Sequence, residues 1–182
     1  EDILNLRSLT PTDWRDLFLF ASEQGVLPMV KDVLIKIQFG TLPIDISEVE
    51  HFEPRHTKDT SPLPDDHLLS GNRIVGYRMR KHLSRSDANI QHVCYMLQNI
   101  RYHQHHHSLT LRHLCDLYSV FRHDDMDEEL LATTLRQLHL YPYARLVRQV
   151  LKEVAYLDDG YMPVPALDDS STSKIRTDLM IY

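Results

Sequence analysis

The sequence predicts a mainly α-helical protein: a C-terminal antiparallel helical bundle, N-terminal helices, and an irregular middle that has room for a minimal β element. Apolar residues recur at helical spacing through residues 86–158, and the connections between these periodic segments are short, which favours antiparallel neighbours. Prolines punctuate residues 39–66 without a sustained period. We therefore divide the chain into N-terminal helices with a proline-rich segment (1–85), the bundle (86–158) and a polar tail (159–182), together forming one compact domain.

The N-terminal part begins with a strong helix start. Thr10 can cap the helix, Pro11 suits its first position, and Asp13 favours the positive end of the helix dipole. Gly25 is typical of a helix stop, and a second helix is predicted over 28–38. The expected apolar positions of these two helices are Trp14, Leu17, Phe18 and Ala21, then Val30, Val33, Leu34 and Ile37.

The middle of the chain is less regular. A brief strand is compatible with residues 42–49, and the rest of 39–66 is predicted to be loop. Residues 65–83 have a weak helical pattern that Gly71 and Gly76 interrupt. The one concentrated positive run of the chain falls here and is interpreted as solvated surface: Arg73, Arg78, Arg80, Lys81 and Arg85.

Four helices are predicted for the bundle. They begin at Ser86, Ser108, Asp127 and near Pro142. The expected buried positions are Ile90, Val93, Cys94, Leu97 and Ile100; Leu111, Leu114, Cys115, Tyr118 and Phe121; Leu130, Leu131, Leu135 and Leu138; and Leu146, Val147, Val150, Leu151 and Val154. The polar tail after Gly160 is expected to be extended or mobile.

Composition excludes several classes of protein. A formal charge of −6 argues against a generic nucleic-acid surface, which usually needs a basic face. Cys94 and Cys115 are too few for a disulfide framework and fall on apolar helical positions, so we expect buried free thiols in a reducing compartment. No apolar run approaches the roughly 20 residues that span a bilayer. We expect a cytoplasmic protein without a membrane partner.

Histidines are concentrated where the first bundle helix ends, at His103, His105, His106 and His107. Two histidines four residues apart can bind zinc, but a stable site needs three or four ligands in a fixed geometry. No cysteine or carboxylate is spaced to complete one locally. We therefore predict no metal here, and interpret the cluster as a solvated turn that titrates near neutral pH.

Arg112 and Asp116 lie one turn apart on the next helix. The simpler interpretation is an ion pair within the helix, worth a few tenths of a kcal/mol when exposed. The alternative is a ligand site, in which Arg112 reaches an anionic ligand and Asp116 holds the arginine in place. The pair can equally anchor two helices.

Several segments together resemble the family of uncharacterised nucleotidyltransferases, which are distant relatives of the polymerase-β-like fold. The carrying segments are TDWRDLFLFA at 12–21 followed by QGVLP at 24–28, then HVCYM at 92–96 and LRHLCDL at 111–117. The resemblance covers about residues 8–38 and 86–165 and rests on the order and spacing of the segments. It implies ligand-binding roles for His92, Arg112 and Asp116, and a nucleotide as the partner.

The resemblance also implies Mg²⁺-dependent transfer of a nucleotidyl group from an NTP. Such enzymes hold the metal with an Asp-x-Asp pair on a strand, after a Gly-Ser turn. In this sequence the nearest candidates are DIS at 45–47 and EVE at 48–50, and neither follows such a turn. The chain is therefore expected to be a degenerate or truncated member of the family, with catalytic residues that the sequence does not identify.

Two alternatives remain open. One is a non-catalytic helical module that binds or scaffolds a protein partner. The other is a small helical ribonuclease of the HEPN type, because Arg101 followed by His106 or His107 matches the spacing of an arginine that stabilises phosphate charge and a histidine that acts as acid or base.

Overall fold

The computed structural model describes residues 6, 8–37, 73–83, 87–158, 160 and 164–180. Within these residues lie eight α-helices of ten or more residues and no strand, which confirms the predicted mainly α-helical class. The proposed strand at 42–49 and the whole proline-rich segment at 39–66 fall outside the described residues. The helices are α1 (Pro11–Glu23), α2 (Leu27–Lys36), α3 (Arg73–Leu83), α4 (Ala88–His105), α5 (Leu111–His123), α6 (Glu128–Gln137), α7 (Tyr141–Val154) and α8 (Ser170–Met180).

The chain divides into two compact units. The first comprises Glu1–Asp59 together with Thr110–Arg112, and the second comprises Thr60–Leu109 and His113–Tyr182. Helices α1 and α2 belong to the first unit. The second unit holds α3, α4, α6, α7 and α8, with most of α5.

The start of α1 follows its sequence signal. The Thr10 hydroxyl accepts from the Asp13 amide at 3.2 Å, and an Asp13 carboxylate oxygen accepts from the Thr10 amide at 2.8 Å. This reciprocal capping box satisfies two backbone donors that the helix leaves unpaired. The hydrogen bonds from Thr10 lower the pKa of the Asp13 carboxyl, because they favour its charged form.

Helices α1 and α2 build the core of the first unit. Trp14, Phe18 and Leu34 are buried, and the Trp14 and Phe18 rings lie 5.6 Å apart. The prediction that Val33 also faces this core is wrong, since Val33 is exposed. In so short a helix the inward face is narrow, and Leu34 occupies it together with the half-buried Val30 and Ile37.

Helix α7 organises the second unit by packing against α4, α6 and α8, and α3 packs on α6. The predicted apolar face of α4 is confirmed, since all five of its expected positions are buried. On α7 the expected positions Val147, Val150 and Leu151 are buried as well. Cys94 lies within this core, and burial raises the pKa of its thiol to about 12. Cys94 and Cys115 are both free, as predicted, although Cys115 is only half-buried.

Two of the predicted helix starts differ from those observed. Asp87 caps α4 by accepting from the Asn89 amide at 2.8 Å, and Ser86, the expected cap, lies outside the described residues. Helix α5 begins at Leu111 and not at Ser108, whose side chain instead lies 2.8 Å from His103 Nδ1. The predicted cap of α6 is confirmed, because an Asp127 carboxylate oxygen accepts from the Leu130 amide at 2.9 Å.

Two predicted core positions are wrong because they lie at helix ends. Leu130 is in the first turn of α6 and Val154 is the last residue of α7, and both side chains are exposed. On α5 the buried face comprises His113, Leu114, Leu117 and Phe121. The expected Leu111, Cys115 and Tyr118 are only half-buried. Because His113 is polar, hydrophobic periodicity did not place it on the buried face, and the predicted face is therefore rotated relative to the observed one.

The C-terminal tail is the largest correction to the predicted fold. We expected an extended or mobile segment, but Ser170–Met180 forms α8. Asp169 begins the helix by accepting from the amides of Ser171 at 2.7 Å and Thr172 at 3.2 Å. The buried face contains Thr172, Ile175, Asp178 and Leu179. Because two of these four residues are polar, hydrophobic periodicity does not reveal the helix.

Candidate functional site

The histidine-rich turn at the end of α4 has a defined backbone geometry. The amide of Ser108 donates to the carbonyl of His103 at 2.9 Å, and the amide of His107 donates to the carbonyl of Gln104 at 3.2 Å. This pair of hydrogen bonds is the Schellman motif, which places one residue in the left-handed region. Here that residue is His107, with φ of 52°. The turn therefore fixes where the His107 side chain leaves the backbone.

His107 contacts a carboxylate far away in the sequence. Its Nδ1 lies 2.9 Å from an Asp178 carboxylate oxygen on α8. The His107 side chain is 82% exposed, whereas the Asp178 side chain is only 8% exposed. Since a carboxylate can only accept, Nδ1 carries the proton, and in the neutral ring Nε2 then keeps its lone pair. The pair combines a buried carboxylate with an imidazole that solvent reaches.

An open cleft of about 480 Å³ surrounds this pair. Its walls come from the last turn of α4 and from one face of α8. The lining residues are Gln104, His105, His107, Ser173, Lys174, Thr177 and Asp178. Lys174 makes no ion pair within the described parts of the chain. The residues that line the cleft thus carry an ammonium group, two imidazoles, an amide, two hydroxyls and the Asp178 carboxylate.

The two hydroxyls take part in bonds within α8. Thr177 Oγ1 donates to the carbonyl of Ser173 at 2.9 Å, and Ser173 Oγ donates more weakly to the carbonyl of Asp169 at 3.4 Å. A hydroxyl rotates about one bond, so either group can turn its proton towards a ligand. Gln104, Lys174 and the histidines offer the more direct donors.

Behind the cleft, Arg101 and Tyr143 form a second pair. The Arg101 guanidinium lies over the Tyr143 ring at 5.8 Å from its centroid. The Tyr143 hydroxyl is buried and has no hydrogen-bond partner among the described residues. Burial raises the pKa of this hydroxyl, the nearby Arg101 charge lowers it, and the Asp178 charge raises it. Arg101 and Asp178 are therefore both close enough to Tyr143 to affect the pKa of its hydroxyl.

The remaining histidines of the cluster have separate environments. His103 is buried, with its Nδ1 2.8 Å from Ser108 Oγ and its ring 4.3 Å from that of His113. The interpretation of the whole cluster as a solvated turn is therefore wrong for His103, which packs in the core. His106 is exposed, donates from Nδ1 to the Tyr102 carbonyl at 2.8 Å and stacks on the Tyr102 ring.

His103 and His107 lie four residues apart but have different partners, since His103 contacts Ser108 and His107 contacts Asp178. No group of three histidine, cysteine or acidic side chains converges as metal ligands within the residues that the structure describes.

The other predicted site residues lie on different elements. His92 is exposed on α4, and Arg112 and Asp116 are half-buried on α5. The backbone amide of Arg112 donates to the carbonyl of the buried Gln24 at 3.2 Å. Ligand-binding roles for these three residues stay predictions. Of the predicted site residues, Arg101 lies over Tyr143, whose hydroxyl pKa the Asp178 charge also affects.

Sequence reasoning missed the half of the site that α8 supplies. Lys174, Thr177 and Asp178 lie in a segment that looks like a polar tail. Asp178 is an acidic residue at a buried helical position, which is unusual enough to suggest a site. This can be recognised only after residues 170–180 are known to form a helix. His107 was singled out as part of the cluster, but nothing local pointed to its carboxylate partner.

Comparison with protein-family models, with curated proteins and with solved structures finds no match for the chain. None of the helices in the described residues is long and apolar enough to cross a membrane. The function of this chain must therefore be inferred from the geometry of the cleft and from the sequence resemblance.

Proposed function

We propose that the second unit is a binding module for a small phosphate-bearing molecule, with a nucleotide as the expected class. The observation that carries this proposal is the cleft between the end of α4 and α8. There Lys174, His105 and His107 share one open space with the Gln104 amide. Cationic and neutral donors on residues that line a concave surface are groups that can recognise phosphate oxygens. The volume of about 480 Å³ is of the size that small-molecule sites have.

The negative charge in the cleft is compatible with an anionic ligand. Asp178 is buried, and the exposed imidazole of His107 lies on its solvent side. When His107 takes up a proton, the pair is neutral overall and the imidazolium remains available at the surface. Lys174 then adds a positive charge that the described residues do not neutralise.

Nucleotidyl transfer is the further activity that the family resemblance implies. It would require Mg²⁺ ligands, and the nearest candidates, at 45–47 and 48–50, lie outside the described residues. Binding at the cleft does not depend on these residues. The second unit can therefore bind a nucleotide whether or not the chain transfers a nucleotidyl group. A protein partner and a cytoplasmic location are further proposals for this chain, and neither depends on the cleft.

Thermal melting of the full chain with each NTP, with and without Mg²⁺, tests the proposed function. A ligand at a hundred times its dissociation constant adds about 2.7 kcal/mol to the free energy of unfolding. We expect an NTP to raise the melting temperature. Lys174→Gln should weaken binding by roughly 10- to 150-fold, because a charged hydrogen bond contributes roughly 1.5–3 kcal/mol.

Lys36→Gln is the matched control, since Lys36 is an exposed lysine at the end of α2. It should bind the NTP as tightly as the wild type. If no NTP raises the melting temperature, or if both variants bind equally well, the proposed site is wrong. A shift that requires Mg²⁺ would support the transfer proposal as well.

A further inference from the structure

We propose that His107, oriented by Asp178, is a general base that cleaves phosphodiester bonds of RNA bound in the cleft. The inference deepens the proposed function and rests on it, because the same cleft must first hold a phosphate group. It specifies a polymeric substrate class and a reaction for the cleft, and it gives roles to Asp178 and Lys174, which the ribonuclease alternative from the sequence does not include. The net charge of −6 disfavours a long nucleic-acid surface, so the inference concerns a short single-stranded segment that reaches one cleft.

The orientation of the imidazole is the first argument. The contact of 2.9 Å between Nδ1 and the Asp178 carboxylate fixes the tautomer, so the lone pair of the neutral ring lies on Nε2. The ring is 82% exposed and lies on the wall of the cleft. A solvent-exposed imidazole on the wall of a cleft, with its Nδ1 held by a buried carboxylate, can take a proton at Nε2 from a ligand that reaches it.

A comparison within the chain separates the carboxylate contact from the backbone geometry. Helix α6 ends in the same motif, with the Leu140 amide donating to the Leu135 carbonyl at 2.9 Å and His139 at φ of 57°. The His139 ring makes no hydrogen bond within the described part of the chain. Two helices of this chain thus end with a histidine in the left-handed conformation. Of the two, His107 is the one whose ring contacts a buried carboxylate.

The substrate follows from the groups that meet in the cleft. Lys174 and Gln104 can hold the phosphate oxygens, which leaves the imidazole to act on a neighbouring hydroxyl. In RNA the ribose 2′-hydroxyl is an internal nucleophile next to the phosphorus, so a base and charge stabilisation suffice to start the reaction. DNA lacks this hydroxyl. The cleft should therefore cleave RNA and leave DNA intact.

The proposed step balances as an internal transesterification. His107 Nε2 takes the proton of the 2′-hydroxyl, and the 2′-oxygen forms a bond to phosphorus. The bond from phosphorus to the 5′-oxygen breaks, and the departing oxygen takes a proton from water. The products are a 2′,3′-cyclic phosphate and a 5′-hydroxyl, and His107 returns its proton to solvent. Lys174 stabilises the negative charge that develops on the phosphate oxygens.

Asp178 has a positioning role in this reaction. It holds the imidazole in the productive tautomer and stabilises the imidazolium that forms. The other titratable or charged groups near the pair are Arg101 and His105 on α4, Tyr143 on α7 and Lys174 on α8. In Asp178→Asn the cleavage rate should fall, because the amide no longer fixes the tautomer of the imidazole. Asp178→Glu keeps the carboxylate and should restore part of the rate, whereas a merely structural role of Asp178 would give no such rescue.

The test uses the full chain with a labelled single-stranded RNA of mixed sequence and its 2′-deoxy counterpart, in the presence of EDTA. We expect cleavage of the RNA alone, with 2′,3′-cyclic phosphate ends. His107→Gly should lower the rate by roughly 10²–10⁴-fold, because it removes the base. Glycine adopts φ of 52° without strain, so this variant should fold. His139→Gly, the matched control at the same helix-end position, should keep the full rate.

The outcomes separate this inference from the proposed function. If an NTP raises the melting temperature but the RNA stays intact, or His107→Gly cleaves as fast as the wild type, the phosphate site stands and the general base is wrong. If no NTP binds, the proposed function fails, and the general base fails with it. Lys174→Gln should weaken nucleotide binding and cleavage together, whereas His107→Gly should reduce cleavage far more than binding.

Discussion

At the residue scale, three helices end in the same way with different residues. Gly25, His107 and His139 each occupy the left-handed position of a Schellman motif, with φ values of 69°, 52° and 57°. Glycine adopts this conformation without a steric penalty, whereas a residue with a Cβ is strained there. The sequence therefore predicted the stop at Gly25. The two histidine stops gave no such signal, because histidine is only moderately enriched at positive φ.

These caps make a stability prediction that does not involve the cleft. Gly25→Ala should lower the free energy of unfolding by about 1 kcal/mol, because alanine is strained at this φ. His139→Gly should raise it by up to about 1 kcal/mol, since the same strain is removed. Denaturant unfolding of the two variants beside the wild type measures both effects. Opposite signs support the assignment, and a stabilising Gly25→Ala would contradict it.

At the element scale, α8 is the helix that sequence patterns did not reveal and the one that completes the cleft. It is held on α7 by polar contacts as well as by its buried face. Arg176 donates to Glu153 at 2.6 Å, and the Leu167 amide, just before α8, donates to the Arg145 carbonyl at 3.2 Å. Contacts between residues so distant in sequence leave no local pattern, so single-sequence reasoning misses them.

The Arg176 contacts predict a pH-dependent contribution to stability. The hydrogen bond from Arg176 lowers the pKa of the Glu153 carboxyl in the folded chain. A lowered folded pKa gives stability that is present above the unfolded value, near 4.5, and is lost as the pH falls through the folded value. At pH 7, Arg176→Gln should lower the melting temperature by roughly 2 °C, since the pair is partly exposed.

The difference between wild type and Arg176→Gln should shrink as the pH falls below 4.5, the ordinary glutamate value. Melting curves at several pH values measure it. Glu153→Gln, and the double variant, provide the control, because Arg176→Gln should matter less when Glu153 is already neutral. A difference that stays constant down to low pH would show that Glu153 does not pair with Arg176.

At the scale of the whole molecule, the class of fold was predictable and the site only in part. Strong helical periodicity from Ile90 to Leu151 defined the bundle, and the caps at Thr10 and Asp127 were read from their local chemistry. The histidine-rich turn was also predictable locally, because its histidines are concentrated where the periodic pattern of α4 ends. Its partners Lys174 and Asp178 depend on a tertiary contact across 71 positions of sequence, which no local rule supplies.

The central claim is that the end of α4 and one face of α8 form a phosphate-binding cleft. The most direct measurement is an NMR titration of the isotope-labelled full chain with ATP, followed through its backbone amide signals. The cleft predicts saturable shifts concentrated at residues 104–107 and 173–178, and saturation at a higher ATP concentration in Lys174→Gln. Shifts confined to other helices, or no shifts at millimolar ATP, would contradict the claim.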